Sequence, residues 1–265
     1  MRIVVWNIAK RRAPWDFLDE IKADVALLQE AIPPHNLGEQ QLDLGSNSVR
    51  EGWDSIVCAP TYREIPGRGG QWGSAILSRT AALEAYQPDE STPWLKMLWG
   101  GTAVARLTDP PVWLASLYSD ASPVGSERLA GRSIDGLRRC DPQRVSEIEL
   151  AVADLERLFA GSRFIAGGDL NSSLAFDTNY HPRNPSNARL FANLAEAGFV
   201  DLRPRFFEEE QQTWFKAGNY PYQLDHVFAD VDTEKRVLSW RVIREAVECQ
   251  PQLSDHAPIE VIVAS

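Results

Sequence analysis

The pattern of apolar and polar positions divides the chain into short β-rich runs separated by a few amphipathic helices. The run "RIVVWNI" (2–8) predicts a first strand, and "DVALLQEA" (24–31) predicts a second. Between them, "PWDFLDEIK" (14–22) predicts a helix, with Pro14 suited to its first turn. A strand–helix–strand unit of this kind favours a parallel pair joined by a right-handed crossover.

The rest of the chain adds more strands than helices. Strands are predicted over 72–78, 102–108, 112–118, 163–171, 222–230, 237–243 and 257–265. The clearest helix is predicted over 142–159, because apolar residues repeat there at spacings of three and four, and another is predicted over 185–198. Hairpin-like pairs mixed with crossover helices indicate an α+β domain of layered sheets with helices outside.

Length and composition fit this fold class. The chain has 265 residues and 44% hydrophobic content, and no break resembles a linker, so we expect a single domain over residues 1–265. No apolar run approaches the ~18–20 residues of a membrane span, and the N-terminal segment is typical of a strand rather than a signal peptide. Three widely spaced cysteines favour a reducing, cytoplasmic location over a disulfide framework.

Polar residues suited to chemistry stand at the ends of several predicted strands. They are Asn7, Glu30, Asp169, Asn171, Asp225, Asp255 and His256. We expect each to follow a buried β run, where a carboxylate or amide without a partner is costly. In an extended segment Asp169 and Asn171 point to the same side and can share one ligand, whereas Asp255 and His256 can do so only if the chain bends.

A structural explanation exists for each of these residues taken singly. "GGDLNSS" (167–173) is also compatible with an ordinary turn whose side chains bond to its own backbone. His256 alone is compatible with a hydrogen-bonded structural histidine. The joint occurrence of acid, amide and imidazole at so many strand ends favours one shared site.

Six segments, taken in order, resemble a known superfamily. They are "VVWNIA", "LLQE", "WGSAILSR", "GGDLNSS", "QLDHVF" and "SDHAP". Together they are similar to the endonuclease/exonuclease/phosphatase superfamily, the DNase I-like group of nucleases, inositol-phosphate phosphatases and sphingomyelinases. The resemblance covers nearly the whole chain. It implies a four-layer α/β-β/α sandwich of two facing mixed β-sheets with outer helices.

The resemblance also implies metal ligands at three positions of this sequence. Glu30 would be the principal ligand of Mg²⁺, with Mn²⁺ as a substitute, and Asn7 and Asp255 would flank the ion. Mg²⁺ keeps several waters and usually takes one or two protein carboxylates, so Glu30 with one helper is sufficient. The four histidines lack the spacing of a zinc site, and the absence of a G-x-S-x-G segment argues against a Ser-His-Asp hydrolase.

A second set of residues is implied to act on the water and the phosphate. Asp169 would contact or activate the attacking water, and Asn171 would hold a phosphate oxygen. His256 would touch the scissile phosphate while Asp225 orients its imidazole. Tyr118 would reach the phosphate, although "SDASP" follows it where many nucleases have a Pro-Asn pair. The sequence leaves both Asp169 and His256 open as the base, and we favour Asp169.

The substrate is less clearly indicated. A net charge of −10 weakens a nucleic-acid interpretation, whereas the segment 125–144 carries five arginines against three acids. Arg68, Trp72 and Trp214 are candidate substrate contacts, and the tryptophans are equally compatible with the core. We favour a nuclease acting on DNA or RNA. The alternatives are a phosphatase or phosphodiesterase for a small-molecule or lipid head-group phosphoester and, third, a non-catalytic binding protein.

Overall fold

The computed structural model describes residues 1–32, 55–58, 63–65, 70–98, 100–180, 186–216 and 221–264. Its strands are β1 (Arg2–Asn7), β2 (Val25–Ala31), β3 (Ser55–Cys58), β4 (Arg63–Ile65), β5 (Gly70–Ser78), β6 (Leu83–Ala85), β7 (Thr102–Thr108), β8 (Pro111–Tyr118), β9 (Phe164–Asp169), β10 (Val200–Asp201), β11 (Asp225–Ala229), β12 (Val237–Val242) and β13 (Ile259–Val263). Its helices are α1 (Ala13–Glu20), α2 (Pro93–Met97), α3 (Glu147–Leu158), α4 (Leu174–Asn179), α5 (Ser186–Glu196), α6 (Val231–Glu234) and α7 (Glu245–Glu248).

These strands form two mixed sheets. One runs in the order β12-β13-β1-β2-β5-β3, with β4 also paired to β5, and the other runs β10-β11-β9-β8-β7-β6. Among the described pairs, β1–β2 and β8–β9 are parallel. The predicted parallel unit at the start of the chain is therefore confirmed, as is the antiparallel pairing of β7 with β8.

The hydrophobic core lies in three layers that alternate with the sheets. Ile3 and Val5 of β1 share the central cluster with Leu114 of β8, between the two sheets. Val4 and Trp6, on the other face of β1, belong to the cluster that contains α1, and a third cluster joins the second sheet to α2, α3 and α5. This alternation follows from the period of two along a strand. The predicted four-layer sandwich is confirmed.

The predicted helix boundaries differ from the observed ones by one or two residues, except at the start of one helix, where the difference is five. The helix expected over 142–159 begins at Glu147, because Ser146 caps it. The Ser146 hydroxyl accepts a hydrogen bond from the Glu149 N–H, and the Glu149 carboxylate accepts one from the Ser146 N–H at 2.7 Å. This reciprocal capping box fixes the helix start even though Val145 continues the apolar pattern. Within the described part of the chain, no helix is both long and apolar enough to cross a membrane.

Strand direction brings the polar residues to one edge. β9 ends at Asp169, and β11, which begins at Asp225, runs antiparallel to it. β13 likewise runs antiparallel to β1, so the segment before β13 lies beside the end of β1. The expectation that each polar residue follows its strand is therefore wrong for Asp225, which is the first residue of β11, and for Asp255 and His256, which precede β13. Antiparallel pairing still delivers them to the edge where β1 and β9 end.

Candidate active site

Three of the predicted site residues lie side by side on neighbouring strands. Asp169, the last residue of β9, has Asp225 as its Cα partner on β11 and Tyr118 as its Cα partner on β8. Asp169 and Asp225 are both buried, at 2% and 0% exposure. Two carboxylates therefore lie close together at a sheet edge that water scarcely reaches.

The glycine pair that precedes Asp169 is required by close backbone packing. A Cβ at Gly168 would lie 1.8 Å from the carbonyl oxygen of Leu117 and 2.9 Å from the side-chain amide carbon of Gln29, and Gly168 has a φ of +156°. A Cβ at Gly167 would lie 2.8 Å from the carbonyl oxygen of His226. Glycine is the residue that permits such an approach, so the "GG" of the motif lets the two sheets converge beneath the site.

Asp169 is held by amide donors. Asn7 Nδ2 donates to Asp169 Oδ2 at 2.9 Å, and the backbone N–H of Asn171 donates to Asp169 Oδ1 at 2.9 Å. Burial raises the pKa of Asp169 to about 7; the positive charge of His256 opposes this rise, and the negative charge of Asp225 adds to it. Asp169 can therefore exchange a proton near neutral pH.

His256 is oriented by Asp225 and faces Asp169. Its Nδ1 lies 2.8 Å from Asp225 Oδ2, and its Nε2 lies 3.9 Å from Asp169 Oδ2. Burial alone would lower the pKa of His256, but the negative charges of Asp225 and Asp169 raise it to about 10. The ring is therefore an imidazolium at neutral pH, with Nδ1–H donated to Asp225 and Nε2–H on the side of Asp169.

The backbone around His256 is tied to the end of β1. Trp6 Nε1 donates to the carbonyl oxygen of His256 at 2.7 Å. The Ser254 hydroxyl donates to the carbonyl oxygen of Asn7 at 2.7 Å and accepts from the N–H of His256 at 3.2 Å. Asp255 lies at the bend between them, and its negative charge is a further contribution to the raised pKa of His256. This positioning role of Ser254 is not predictable from the sequence, because a single serine forms no pattern.

Glu30 reaches the same edge through an irregular backbone. It has a φ of +48° and lies where the pairing of β2 with β5 shifts register, between Leu28 and Ala31. Its carboxylate forms an ion pair with the ammonium of Lys10, and the N–H of Lys10 donates to the Glu30 carbonyl oxygen at 3.0 Å. Lys10 was missed by the sequence analysis, although its position three residues after Asn7 was a usable signal.

Of the predicted aromatic substrate contacts, Trp72 lies beside this ion pair. Lys10 Nζ lies 4.7 Å from the centroid of the Trp72 ring, and Trp72 packs edge-on against Tyr118 with ring centroids 5.0 Å apart. Trp72 is only 7% exposed, so most of it is packed against protein. Trp214 pairs with His256 through an isolated β-bridge. Arg68 lies outside the described residues.

Asn171 does not follow the expected extended geometry. Its φ is +48°, so the chain turns after β9, and the expectation that an extended segment places Asp169 and Asn171 on the same side is wrong. Asn171 Nδ2 instead donates to the carbonyl oxygen of Ser119 at 2.9 Å and lies 3.4 Å from Asp169 Oδ2. The segment 167–173 therefore both turns and contributes to the shared site. Asparagine suits this turn, because its short polar side chain tolerates the left-handed region.

The arrangement suits a hard divalent cation. Carboxylate oxygens of Asp169 and Asp225 and a ring nitrogen of His256 lie within 4.8 Å of one another, and Asn7 joins this group through its bond to Asp169. Because the His256 ring is protonated on both nitrogens, the oxygen atoms of the group are its possible metal ligands. Glu30 and Asp255 supply further carboxylates outside that tight group. Oxygen donors are the ligands that Mg²⁺ prefers, and a bound cation would favour the ionised form of Asp169, whose pKa is raised mainly by burial.

Comparison with known proteins identifies the family of the chain. The sequence model of the Endonuclease/Exonuclease/phosphatase family matches residues 4–256. No curated protein sequence gives a significant match. Similar solved structures include an AP endonuclease from Archaeoglobus fulgidus, 16% identical with a TM-score of 0.64. They also include a 3′-5′ exonuclease from Neisseria meningitidis, 18% identical with a TM-score of 0.66.

A third similar structure is a 3′ phosphatase from Neisseria bound to a product DNA hairpin, 16% identical with a TM-score of 0.66. Each of the three matches covers 100% of this chain and 100% of the other. At these identities the structural likeness concerns the fold, whereas the family match rests on the sequence itself. With its DNase I-like sandwich and a family match over most of its length, the chain belongs to the endonuclease/exonuclease/phosphatase family.

Proposed function

We propose that the protein is a divalent-metal-dependent phosphodiester hydrolase that cleaves DNA or RNA by attack of water on phosphorus. The observation that carries this proposal is the arrangement of Asp169, His256 and Asp225. A buried carboxyl group with a pKa of about 7 lies 3.9 Å from an imidazolium that a second carboxylate orients. Such a base and cation at one buried edge suit hydrolysis of a phosphate ester.

Asp169 is the proposed general base. A base is most effective when its pKa is near the working pH, and the pKa of Asp169 meets this condition. His256 is already protonated at neutral pH and has no ring nitrogen left to accept a proton. The geometry therefore favours Asp169 over His256 in this role, with the amide donors of Asn7 and Asn171 keeping its carboxylate in place.

His256 is the proposed phosphate-side group. Its Nε2–H, aimed by the bond from Nδ1 to Asp225, would donate to a non-bridging phosphate oxygen. A fixed cation in a buried site stabilises negative charge that develops in the transition state. Asn171 and Tyr118, which flank Asp169, are the proposed further contacts to the phosphate.

Glu30, Asn7 and Asp255 are the proposed ligands of Mg²⁺, with Mn²⁺ as a substitute. When bound, the ion would supply positive charge against the phosphate and its leaving oxygen. Lys10 forms an ion pair with Glu30 through Oε2, so its ammonium competes with a metal ion for this carboxylate.

Nucleic acid is the proposed substrate. One of the similar folds is a phosphatase bound to a DNA hairpin, and the cavity beside Asn171 is lined in part by Phe176 and Tyr180, aromatic side chains on which a base can stack. The net charge of −10 favours the alternative, a phosphatase or phosphodiesterase for a small phosphoester. The two substrates differ in salt dependence, because binding to a polyanion releases counterions and weakens steeply as salt rises.

The test is a panel of substrates assayed with and without chelator. Plasmid DNA, single- and double-stranded oligonucleotides, RNA and small phosphoesters are incubated with Mg²⁺, with EDTA, and with EDTA followed by excess Mg²⁺. The Asp169→Ala variant, purified in parallel, identifies any contaminating nuclease. We expect nucleic-acid cleavage that EDTA abolishes and Mg²⁺ restores. Cleavage by the wild type that survives EDTA would overturn the metal mechanism, and turnover confined to small phosphoesters would overturn the nuclease.

A further inference from the structure

A cavity of about 490 Å³ opens directly beside the candidate catalytic edge. We call it the Asn171 pocket, because Asn171 and its hydrogen-bond partner Ser119 both line it. Its remaining walls come from the loop after β9, from α4 and the start of α5, and from the end of the arginine-containing segment at Arg144. The volume is typical of a small-molecule or single-nucleotide site. A substrate held at Asp169 would therefore extend into a preformed cavity.

Two aromatic residues form part of the pocket lining, one within α4 and one directly after it. Phe176 is half-buried, and Tyr180 is 57% exposed. Both are fixed by Tyr222: the Tyr180 and Tyr222 hydroxyls lie 2.8 Å apart, and the Phe176 and Tyr222 rings have centroids 4.6 Å apart. An aromatic surface that is already ordered can accept a flat ring at little conformational cost.

The polar part of the lining distinguishes a base from a second phosphate. Among the lining residues that the structure describes, the acidic Asp120, Asp141 and Glu149 accompany one arginine, Arg144, a charge balance that disfavours a further phosphate. Asn187 uses its amide nitrogen on Asp177 at 2.8 Å, which leaves its amide oxygen as an acceptor. Carboxylate and amide oxygens beside aromatic rings suit a flat heterocycle that carries N–H donors, as nucleobases do.

We propose that the Asn171 pocket binds the nucleobase next to the scissile phosphate, by stacking on the aromatic surface of Phe176 and Tyr180. This inference rests on the proposed phosphodiester hydrolysis and specifies which form of nucleic acid is its substrate. The phosphate lies at Asp169 and His256, the neighbouring sugar passes Asn171 and Ser119, and the base enters the pocket. Because a base paired within a duplex is not free to enter a cavity, the substrate is a single-stranded or frayed nucleic acid.

The test compares binding of two single-stranded oligonucleotides that differ only at the nucleotide beside the scissile phosphate. One carries a base there, and the other carries a tetrahydrofuran abasic residue. Affinity is measured by fluorescence anisotropy with Mg²⁺ in an Asp169→Ala background, which prevents cleavage. We expect the base to increase affinity by about tenfold. Tyr180→Ala should remove most of this difference, and Tyr180→Phe, which keeps the ring, should retain it.

The control variant is Phe207→Ala. Phe207 is another exposed aromatic residue, 37% exposed, and it packs against Trp240 away from the pocket, so its loss should leave the tenfold base preference unchanged. The inference is overturned if Tyr180→Ala weakens both oligonucleotides equally or neither of them. That result, with the wild type still cleaving nucleic acid, would leave the proposed function standing. A wild type that cleaves no nucleic acid would overturn the function itself.

Discussion

Asp225 lies directly across the β9–β11 pair from Asp169, and the ring of His256 lies between their carboxylates, 2.8 Å from one and 3.9 Å from the other. Like charges on directly opposed residues of neighbouring strands destabilise a sheet. The imidazolium offsets part of that repulsion, and the burial of all three groups strengthens each interaction. The opposed carboxylates are thus unfavourable to the sheet by themselves, and the imidazolium between them makes the arrangement tolerable.

Replacing Asp169 by asparagine should abolish most of the turnover while leaving the fold intact. The amide has nearly the same shape but cannot take a proton from water, and loss of a general base typically reduces kcat about 10²–10⁴-fold. Because the ionised carboxylate is disfavoured by burial, its removal should not lower the free energy of unfolding at pH 8. Steady-state kinetics in excess Mg²⁺ and urea denaturation measure the two effects.

Asp154→Asn is the matched control for that variant. Asp154 is also fully buried, but it lies in α3 and accepts hydrogen bonds from the N–H groups of Trp94 and Leu95, at 2.7 and 2.9 Å. Its replacement should cost about 1 kcal/mol of stability and leave kcat unchanged. Near-normal turnover of Asp169→Asn would show that Asp169 is not the base.

The ionisation of His256 should depend on Asp225. In the wild type the ring stays protonated until pH rises to about 10. In Asp225→Asn the amide carries no charge, so the lowering of the pKa by burial is less opposed and the pKa of His256 should fall. Titration of the ring resonances by NMR, in EDTA, measures both values. An unchanged titration in the variant would contradict the assigned orientation.

The same shift predicts how stability varies with pH. The folded-state pKa of His256 lies above its ordinary value of 6.5, so the stabilisation is complete below pH 6.5 and is lost as pH rises from 6.5 toward 10. The free energy of unfolding of the wild type should therefore exceed that of Asp225→Asn most at pH 6, and the difference should shrink toward pH 10. Urea denaturation at pH 6, 8 and 10 gives the comparison.

Much of this architecture was readable from the sequence. Apolar periodicity located the principal strands and helices, because burial on one face imposes a period of two or 3.6. The order of short polar motifs identified the family and pointed to Asp169, Asp225 and His256, which the fold brings within one group. The mixed-sheet topology followed from the same resemblance.

The missed features are those that depend on partners distant in sequence. Asp225 is the first residue of its strand and His256 precedes its strand, and an apolar run does not indicate which of its ends lies beside the site. The short strand β6 and helix α4 are held by tertiary contacts, such as the capping of α4 by Glu210 through Ser173 at 2.6 Å. Lys10 and Glu30, which form an ion pair, both adopt left-handed backbone conformations, at φ values of 61° and 48°, which composition does not reveal.

Removing the Lys10 ammonium should strengthen metal binding. In Lys10→Met, Glu30 loses its internal counter-ion, so a divalent cation no longer competes with an ammonium for the carboxylate. Two unit charges at about 4 Å in water interact by about 1 kcal/mol, which corresponds to about a fivefold gain in affinity. Isothermal titration of the chelator-stripped protein with Mn²⁺ measures this without an activity assay.

Lys96→Met serves as the control for the Lys10 variant. Lys96 also forms an ion pair, with Glu90 at 2.5 Å, but both side chains are substantially exposed and lie on and before α2. Its replacement removes one positive charge from the protein and should leave the Mn²⁺ affinity within error of the wild type. Equal changes in both variants would assign the effect to net charge rather than to Glu30.

The glycine before Asp169 should tolerate no side chain. In Gly168→Ala the new methyl group would meet the carbonyl oxygen of Leu117 at 1.8 Å, and that backbone belongs to the β8–β9 pairing, so neither strand can yield without breaking the ladder. We expect a loss of at least about 3 kcal/mol. Gly198→Ala has a positive φ of 87° but nothing within 4 Å, so it should cost only about 1 kcal/mol. Urea denaturation of both variants separates steric conflict from backbone strain, and equal losses would show that conformation rather than close packing requires the glycine at 168.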